Sequence, residues 1–316
     1  MLSPYRLRIG HATDLAGGTG CTVLLGEDGP FRAACHVLGR ATGTRELHTL
    51  HPDHLVDRVD AILLTGGSAY GLDAAAGLMS WLERQGRGLP IGGGVVPIVP
   101  AAVIFDLTPV GRFDARPTPG MAIQAAESAV SDVVEEGSVG AGTGATVGKA
   151  LGRDGAMKGG FGVAEVVRPA GRALAMTVVN AFGDVVSSSG EVIAGARRAG
   201  GEFAGTSRIL GDAVGGNTVL SVVALDRPVP RVELQELARA SAGALHRRIR
   251  PAGTLLDGDV IFAVCPLPGN DERIAGPDVE EQLALAALCS EALEMAVERA
   301  VRLSKGASGI PGLADA

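Results

Sequence analysis

Gly215-Gly216-Asn217-Thr218-Val219-Leu220-Ser221-Val222-Val223-Ala224-Leu225 joins a turn-forming run to an apolar, β-branched stretch. The second part reads as a buried strand, and the first as a tight turn that delivers a hydroxyl to the mouth of that strand. Two readings are open. In the plainer one, Gly216-Asn217-Thr218 is a hairpin or loop-to-strand turn and nothing more. In the other, the turn presents the Asn217 carbonyl to the Thr218 hydroxyl, and the chain cuts itself by an N→O acyl shift followed by hydrolysis. Thr218 would then be a new N-terminus whose α-amine, with a pKa of about 7.7 to 8, is the base for its own hydroxyl.

Such a hydroxyl needs partners, and three stretches offer them. Asp257-Gly258-Asp259 precedes the apolar run Val260-Ile261-Phe262-Ala263-Val264. In extended chain, residues two apart share a face, so both carboxylates reach one site, and the glycine between them permits close backbone approach. A carboxylate pair beside an amine suits proton handling. The same motif is also compatible with a solvated turn or a cation site, although Ile261 and Ala263 occupy the next positions a calcium loop would use. Asn180 closes an apolar run and reads either as a turn former or as an amide aimed at a developing oxyanion. Lys149 ends the glycine-rich stretch Gly140-Ala141-Gly142-Thr143-Gly144-Ala145-Thr146-Val147-Gly148, which can carry the lysine to a buried site or leave it on the surface.

Competing chemistries fit poorly. A phosphate-binding loop fails because Thr143 stands at its first glycine and Ala150 at its Ser/Thr position. A dinucleotide fingerprint fails because the polar Glu135-Glu136-Gly137-Ser138 precedes the glycines where a buried strand is required. His48, His51 and His54 are broken by Pro52 and lack a further ligand, so no metal is expected. A Gly-x-Ser-x-Gly elbow is absent from the sequence.

Around these motifs, hydrophobic periodicity predicts strands over residues 21–25, 32–37 and 60–65, and a helix over 70–82. Residues 93–107 read as a proline-broken buried loop entering a short strand. A helix is predicted over 119–134, a glycine-rich loop over 137–148, strands over 162–168 and 174–180, and a short serine-capped helix over 189–199. An exposed linker over 200–215 leads to Thr218. The strand after it is followed by a helix over 232–247, a strand over 260–264, and a long helix over 278–304 with Leu285, Leu288, Cys289, Ala292, Ala296 and Leu303 on one stripe. Strands and helices are mixed throughout the 316 residues with no repeat or linker-like boundary, which indicates one layered α/β or α+β domain, 1–316.

Composition sets the class. A 46% hydrophobic content supports a sizeable core, while 47 glycines and only 3% aromatics describe one packed from small aliphatic side chains. The net charge of −7 argues against nucleic acid or an anionic membrane as partner, and Arg247-Arg248-Ile249-Arg250 reads as the cationic end of a helix. Four cysteines without CxxC spacing read as reduced core residues. With no signal-like N-terminus and no long apolar span, a soluble cytoplasmic protein is expected.

Taken together, Leu64-Thr65-Gly66-Gly67-Ser68-Ala69-Tyr70-Gly71-Leu72, Pro97-Ile98-Val99-Pro100-Ala101-Ala102-Val103-Ile104-Phe105-Asp106, Gly140-Ala141-Gly142-Thr143-Gly144, Gly216-Asn217-Thr218 and Asp257-Gly258-Asp259 resemble one family over nearly the whole chain. It is that of the self-processing L-aminopeptidase/D-esterase peptidases, and within it the branch that includes nylon-oligomer hydrolases. The resemblance implies an αββα sandwich similar to N-terminal-nucleophile hydrolases, with ornithine-acetyltransferase-like connectivity. It implies a cut between Asn217 and Thr218 into fragments 1–217 and 218–316, both retained in a homo-oligomer, often a tetramer. Thr218 would be the nucleophile, with Asp257 and Asp259 holding and tuning it. Lys149 would support proton transfer, Asn180 would help form the oxyanion hole, and Phe105 and Tyr70 would contact substrate. No cofactor is implied.

One departure bears on substrate. Aminopeptidase members place a glutamate in the segment matching residues 99–103, where it pairs with the substrate's amine, and their acidic motif begins with serine. Here stand Pro100-Ala101-Ala102 and Asp257. Apart from Asp106, nearby residues form an apolar wall that anchors an ammonium badly, so cleavage of an internal or uncharged amide is expected. The alternatives are acyl transfer by the same machinery and a non-catalytic or nucleotide-binding protein in which the turn is only a turn.

Overall fold

The computed structural model describes residues 2–209, 216–269 and 274–315. The last six residues of the expected linker, Gly215 among them, lie outside these. Ten principal strands form two five-stranded sheets. The first contains β1 (Leu7–Asp14), β2 (Thr19–Gly26), β4 (Thr44–Arg45), β5 (Ala61–Thr65) and β6 (Ala101–Val103), in the order β1-β2-β5-β6-β4. The second contains β3 (Phe31–Val37), β7 (Gly160–Arg168), β8 (Gly171–Asn180), β9 (Thr218–Leu225) and β10 (Val260–Pro266), in the order β7-β8-β9-β10-β3. Each sheet is antiparallel but for one central parallel pair, β5 with β6 and β9 with β10. The centre of the second sheet thus places two strands of the C-terminal third between strands contributed by the first two thirds.

The continuous apolar run of β9 follows from its position. Leu220, Val222 and Ala224 face the first sheet and join Val260, Phe262, Val264, Met176 and Val178 in the core between the sheets. The alternate residues Val219, Val223 and Leu225 face helices α3 (Arg231–Arg248) and α4 (Val279–Arg302). A strand covered on both faces is apolar at every position. Beyond Thr218 at its start, the one exception, Ser221, shares a 2.9 Å hydrogen bond with Thr177, its cross-strand partner. Helices α1 (Ala74–Arg84) and α2 (Pro119–Glu127) cover the outer face of the first sheet through Leu78, Leu82, Ala122, Ala125 and Ala126. The layers are therefore helix, sheet, sheet, helix, the αββα sandwich expected from the resemblance.

Helix ends obey their local chemistry. The Thr118 hydroxyl accepts from the Met121 N–H to cap α2, and the Asp278 carboxylate accepts from the Glu281 N–H to cap α4. In the last turn of α3, Arg247 and Arg248 pair with Glu294 and Glu298 of α4, so the basic run joins the two outer helices. Among the described residues, no helix is long and apolar enough to cross a membrane.

Four local expectations are corrected. Residues 189–199 are not a helix. Val192–Ala194 forms a short strand against Asp184–Val186, because the serines before it build a turn in which Ser187 N–H donates to Glu191 O and Gly190 adopts a left-handed φ of 85°. The helix expected to reach residue 134 stops at Glu127, and Val130 instead exchanges backbone hydrogen bonds with Ile9. Leu303 leaves the α4 stripe because it is the C-cap residue and 40% exposed. Of the four unpaired cysteines, Cys35 is only half-buried.

Candidate active site

Thr218 is the first residue of β9, and the sheet register determines its neighbours. Across the antiparallel pair it faces Asn180, the last residue of β8. On the other side, Asn217 bridges Asp257 ahead of the parallel pairing with β10. Residues far apart in sequence thus meet at one sheet end, with Asn217, Thr218, Asn180, Asp257 and Asp259 all buried.

Two donors converge on the Asn217 carbonyl oxygen. The Thr218 hydroxyl donates to it at 2.5 Å and the Gly258 backbone N–H at 2.8 Å. Gly258 has to be glycine there, since a Cβ would lie 2.7 Å from both Thr218 Oγ1 and the Ala41 carbonyl oxygen. Gly216 is constrained as well: its φ is +109°, and a Cβ would sit 2.7 Å from the Phe105 ring.

The carboxylates brace backbone on either side of this point. Asp259 accepts from Val219 N–H at 2.7 Å and Gly253 N–H at 3.1 Å, while Asp257 accepts from Thr254 N–H at 2.7 Å. Lys149 follows a left-handed Gly148, and its Nζ donates to Asn180 Oδ1 (2.9 Å), Asn180 O (3.1 Å) and Gly216 O (3.2 Å). Asn180 also accepts from Thr146 N–H through Oδ1, and its Nδ2 donates to Phe105 O at 3.1 Å and Gly216 O at 3.4 Å. The Asn180 amide is thus satisfied by neighbouring carbonyls, and the N–H at the Asn217 oxygen belongs to Gly258. In sequence Gly258 signals only close backbone approach, because a backbone donor leaves no mark in residue type.

Burial governs the charges. It lowers the Lys149 ammonium to about 7, against the opposing pull of Asp257, Asp106 and Asp259. Burial raises Asp259, and the neighbouring Asp257 charge raises it further. Lys158, whose Nζ donates to the carbonyls of Thr143 and Ala145, is likewise lowered to about 7 by burial. A lysine with a lowered folded-state pKa binds fewer protons than the unfolded chain between about 7 and 10.5, so it makes stability rise with pH in that window. Buried Cys21, Cys265 and Cys289, raised to about 12, act in the opposite sense above 9. On a Thr218→Ala background, which keeps one chain, unfolding free energy from urea titrations is therefore expected to rise from pH ~7 to ~8.5, with a smaller rise when Lys158→Met is added. A flat profile for the Thr218→Ala chain would mean that both lysines stay charged in the fold.

A cavity of about 150 Å³ opens on the Asn217–Thr218 peptide bond, lined by Ser68, Val103, Phe105, Leu256 and the Gly216-Asn217-Thr218 turn. Phe105 is in this wall. Tyr70 is not; it is 53% exposed and lies under the Arg116 guanidinium, 3.5 Å from its ring centroid. Asp106 is buried away from the lining, its carboxylate accepting from Gly67 N–H and the Thr19 hydroxyl, both at 2.7 Å. Gly140–Gly142 forms a short 3-10 turn that leads into a two-residue strand, Thr146–Val147, rather than into an α-helix, which leaves no phosphate cradle. The His48 ring lies beside those of His51 and His54, and among the described residues no group of three His, Cys, Asp or Glu side chains is placed to hold a metal ion.

Solved structures define the class. The chain superposes on the L-aminopeptidase D-Ala-esterase/amidase of Ochrobactrum anthropi with a TM-score of 0.74 at 18% identity, covering 97% of this chain and 86% of that one. It superposes on a Burkholderia sp. β-aminopeptidase with a TM-score of 0.70 at 20% identity, covering 97% and 88%. The first of these is described as a variant of the Ntn hydrolase fold, and the present sandwich has that fold. Residues 6–312 match peptidase family S58, and the chain belongs to that family of hydrolases. It is 38% identical to an uncharacterized aminopeptidase of Mycobacterium leprae, over 96% of this chain and 88% of the relative. Identity to a 6-aminohexanoate-oligomer endohydrolase of Paenarthrobacter ureafaciens is 31%, over 92% and 82%.

Proposed function

We propose that the chain matures by cutting its own Asn217–Thr218 bond, and that the released Thr218 then hydrolyses internal or uncharged amides. The observation that carries this reading is the convergence of the Thr218 hydroxyl and the Gly258 N–H on the Asn217 carbonyl oxygen. In maturation, Thr218 Oγ attacks the Asn217 carbonyl carbon while Gly258 N–H holds the oxyanion. The C–N bond breaks, the hydroxyl proton passes to the departing nitrogen, and water hydrolyses the resulting ester to an Asn217 carboxylate and a free Thr218.

In turnover, the new α-amine takes the hydroxyl proton as Oγ attacks the substrate amide. That proton leaves on the departing amine, and water releases the acyl group from Thr218. Gly216 O and Phe105 O hold the Asn180 amide in the uncut chain; cleavage frees the segment ending at Asn217 to move, which makes Asn180 Nδ2 available to the substrate oxyanion. Asp259 holds Val219, and hence the nucleophile, in place, while Lys149 supplies charge balance. Among the described residues the cavity lining contains no carboxylate, and this supports an uncharged amide over an amine-anchored aminopeptidase substrate. Assembly as a homo-oligomer, a tetramer by the resemblance, and a cytoplasmic location belong to the same proposal.

Intact-mass spectrometry tests maturation directly. Two chains of 217 and 99 residues are expected, and a folded wild type that stays at 316 would overturn it. Gly258→Ala puts a methyl group against the nucleophile, and we expect self-cleavage to slow by about 100-fold, the scale of losing one oxyanion donor. A gel time course showing wild-type processing in this variant would remove Gly258 from the mechanism.

A further inference from the structure

Ser68 is the sole polar side chain of the cavity lining outside the scissile pair, among the described residues. It is also one of only four non-glycine residues with left-handed backbone among the described residues, at φ +52°. Such geometry is uncommon for a side chain with a Cβ and persists where its surroundings impose it. The surroundings are visible. Ser68 N–H donates to Ile104 O at 2.9 Å, and the preceding Gly67, itself at φ +81°, donates to the buried Asp106 carboxylate, which the Thr19 hydroxyl also holds. Asp106 thus does not anchor substrate; it pins the turn that sets Ser68 in the cavity wall.

The Ser68 hydroxyl makes no hydrogen bond to the described protein groups. Around it the wall is Val103, Phe105 and Leu256, so a second polar group on a substrate would enter an apolar surface and meet one hydroxyl. An amide buried there without a partner loses its water hydrogen bonds and gains nothing. We propose that Ser68 is a specificity-determining residue whose hydroxyl hydrogen-bonds a second amide of the substrate, selecting linear oligoamides over simple monoamides. The inference rests on Thr218 being the nucleophile of this cavity.

The test compares kcat/KM for a linear oligoamide with that for an analogue of equal length in which a methylene pair replaces the second amide. Both are assayed with wild type, Ser68→Ala and Ser68→Gly. The wild type is expected to prefer the oligoamide, and both variants to lose that preference by about tenfold, the scale of one hydrogen bond to a buried amide. Ser68→Gly relieves the left-handed backbone while deleting the hydroxyl, so it separates strain from chemistry. Retained preference in Ser68→Gly would overturn the proposal, and so would equal losses on both substrates. A wild type that cuts itself and hydrolyses both substrates without preference would overturn the Ser68 role alone; one that neither processes nor hydrolyses would overturn it together with the reading of Thr218.

Discussion

Thr218→Ala is expected to give a single 31.9 kDa chain that folds like the wild type and hydrolyses amides at least about 10⁴-fold more slowly. One oxygen serves twice in the proposed chemistry, first against the Asn217 carbonyl and then against the substrate, so its loss removes both reactions together. Folding is spared because Thr218 packs as the first residue of β9, where the cores on either face are built by Val219, Leu220 and the residues after them. Intact mass, circular dichroism and an amide-hydrolysis assay on the same preparation make the test. Two fragments from the alanine variant would place the nucleophile elsewhere. Thr218→Ser, which retains a hydroxyl on the same backbone, is expected to process.

Asp259→Asn is expected to have the next largest effect, slowing maturation by about 100-fold. Both carboxylate oxygens accept backbone N–H groups, from Val219 and Gly253. An amide offers one acceptor and turns its NH2 toward the other N–H, leaving buried donors facing each other at a cost of about 1–3 kcal/mol. The strain falls on Val219, the residue directly after Thr218, and in the proposed chemistry a displacement near 1 Å there costs about 100-fold in rate. The substitution also removes a charge that helps hold Lys149 protonated. Asp257→Asn should be milder, because that carboxylate braces Thr254 in the preceding loop. Processing rates followed by gel rank the two variants, and wild-type processing of Asp259→Asn would remove this bracing from the mechanism.

The sequence motifs made much of the site legible, because residue type carried the chemistry: a threonine at a strand mouth, two acids in alternation, an amide at a strand end, a lysine after glycines. What joined them was register, which no motif contains. Asn180 lies opposite Thr218 through the β8–β9 ladder, and Lys149 enters through the left-handed Gly148. Strand β1 is not legible in sequence because its half-buried pattern is interrupted by Gly10 and His11. The 189–199 segment misled because serine followed by apolar residues caps helices and closes hairpins alike, and Gly190 decided for the hairpin. Asp106 drew attention as a charge, yet its two hydrogen bonds make it a backbone clamp.

If the chain is cut before Thr218 as proposed, the strand order β7-β8-β9-β10-β3 has a consequence for the life of the product. Cutting before β9 leaves that strand and β10 belonging to one polypeptide, held on one flank by β8 and on the other by β3 of a second polypeptide. The folded assembly would not come apart at such a cut, since the broken bond would lie at the sheet's end and every ladder across it would remain. Once both pieces are unfolded, however, reassembly requires two molecules to meet, and the peptide bond that once made the search intramolecular cannot be restored. Self-cleavage would therefore turn an equilibrium fold into a kinetically trapped one, committed from a single folding event.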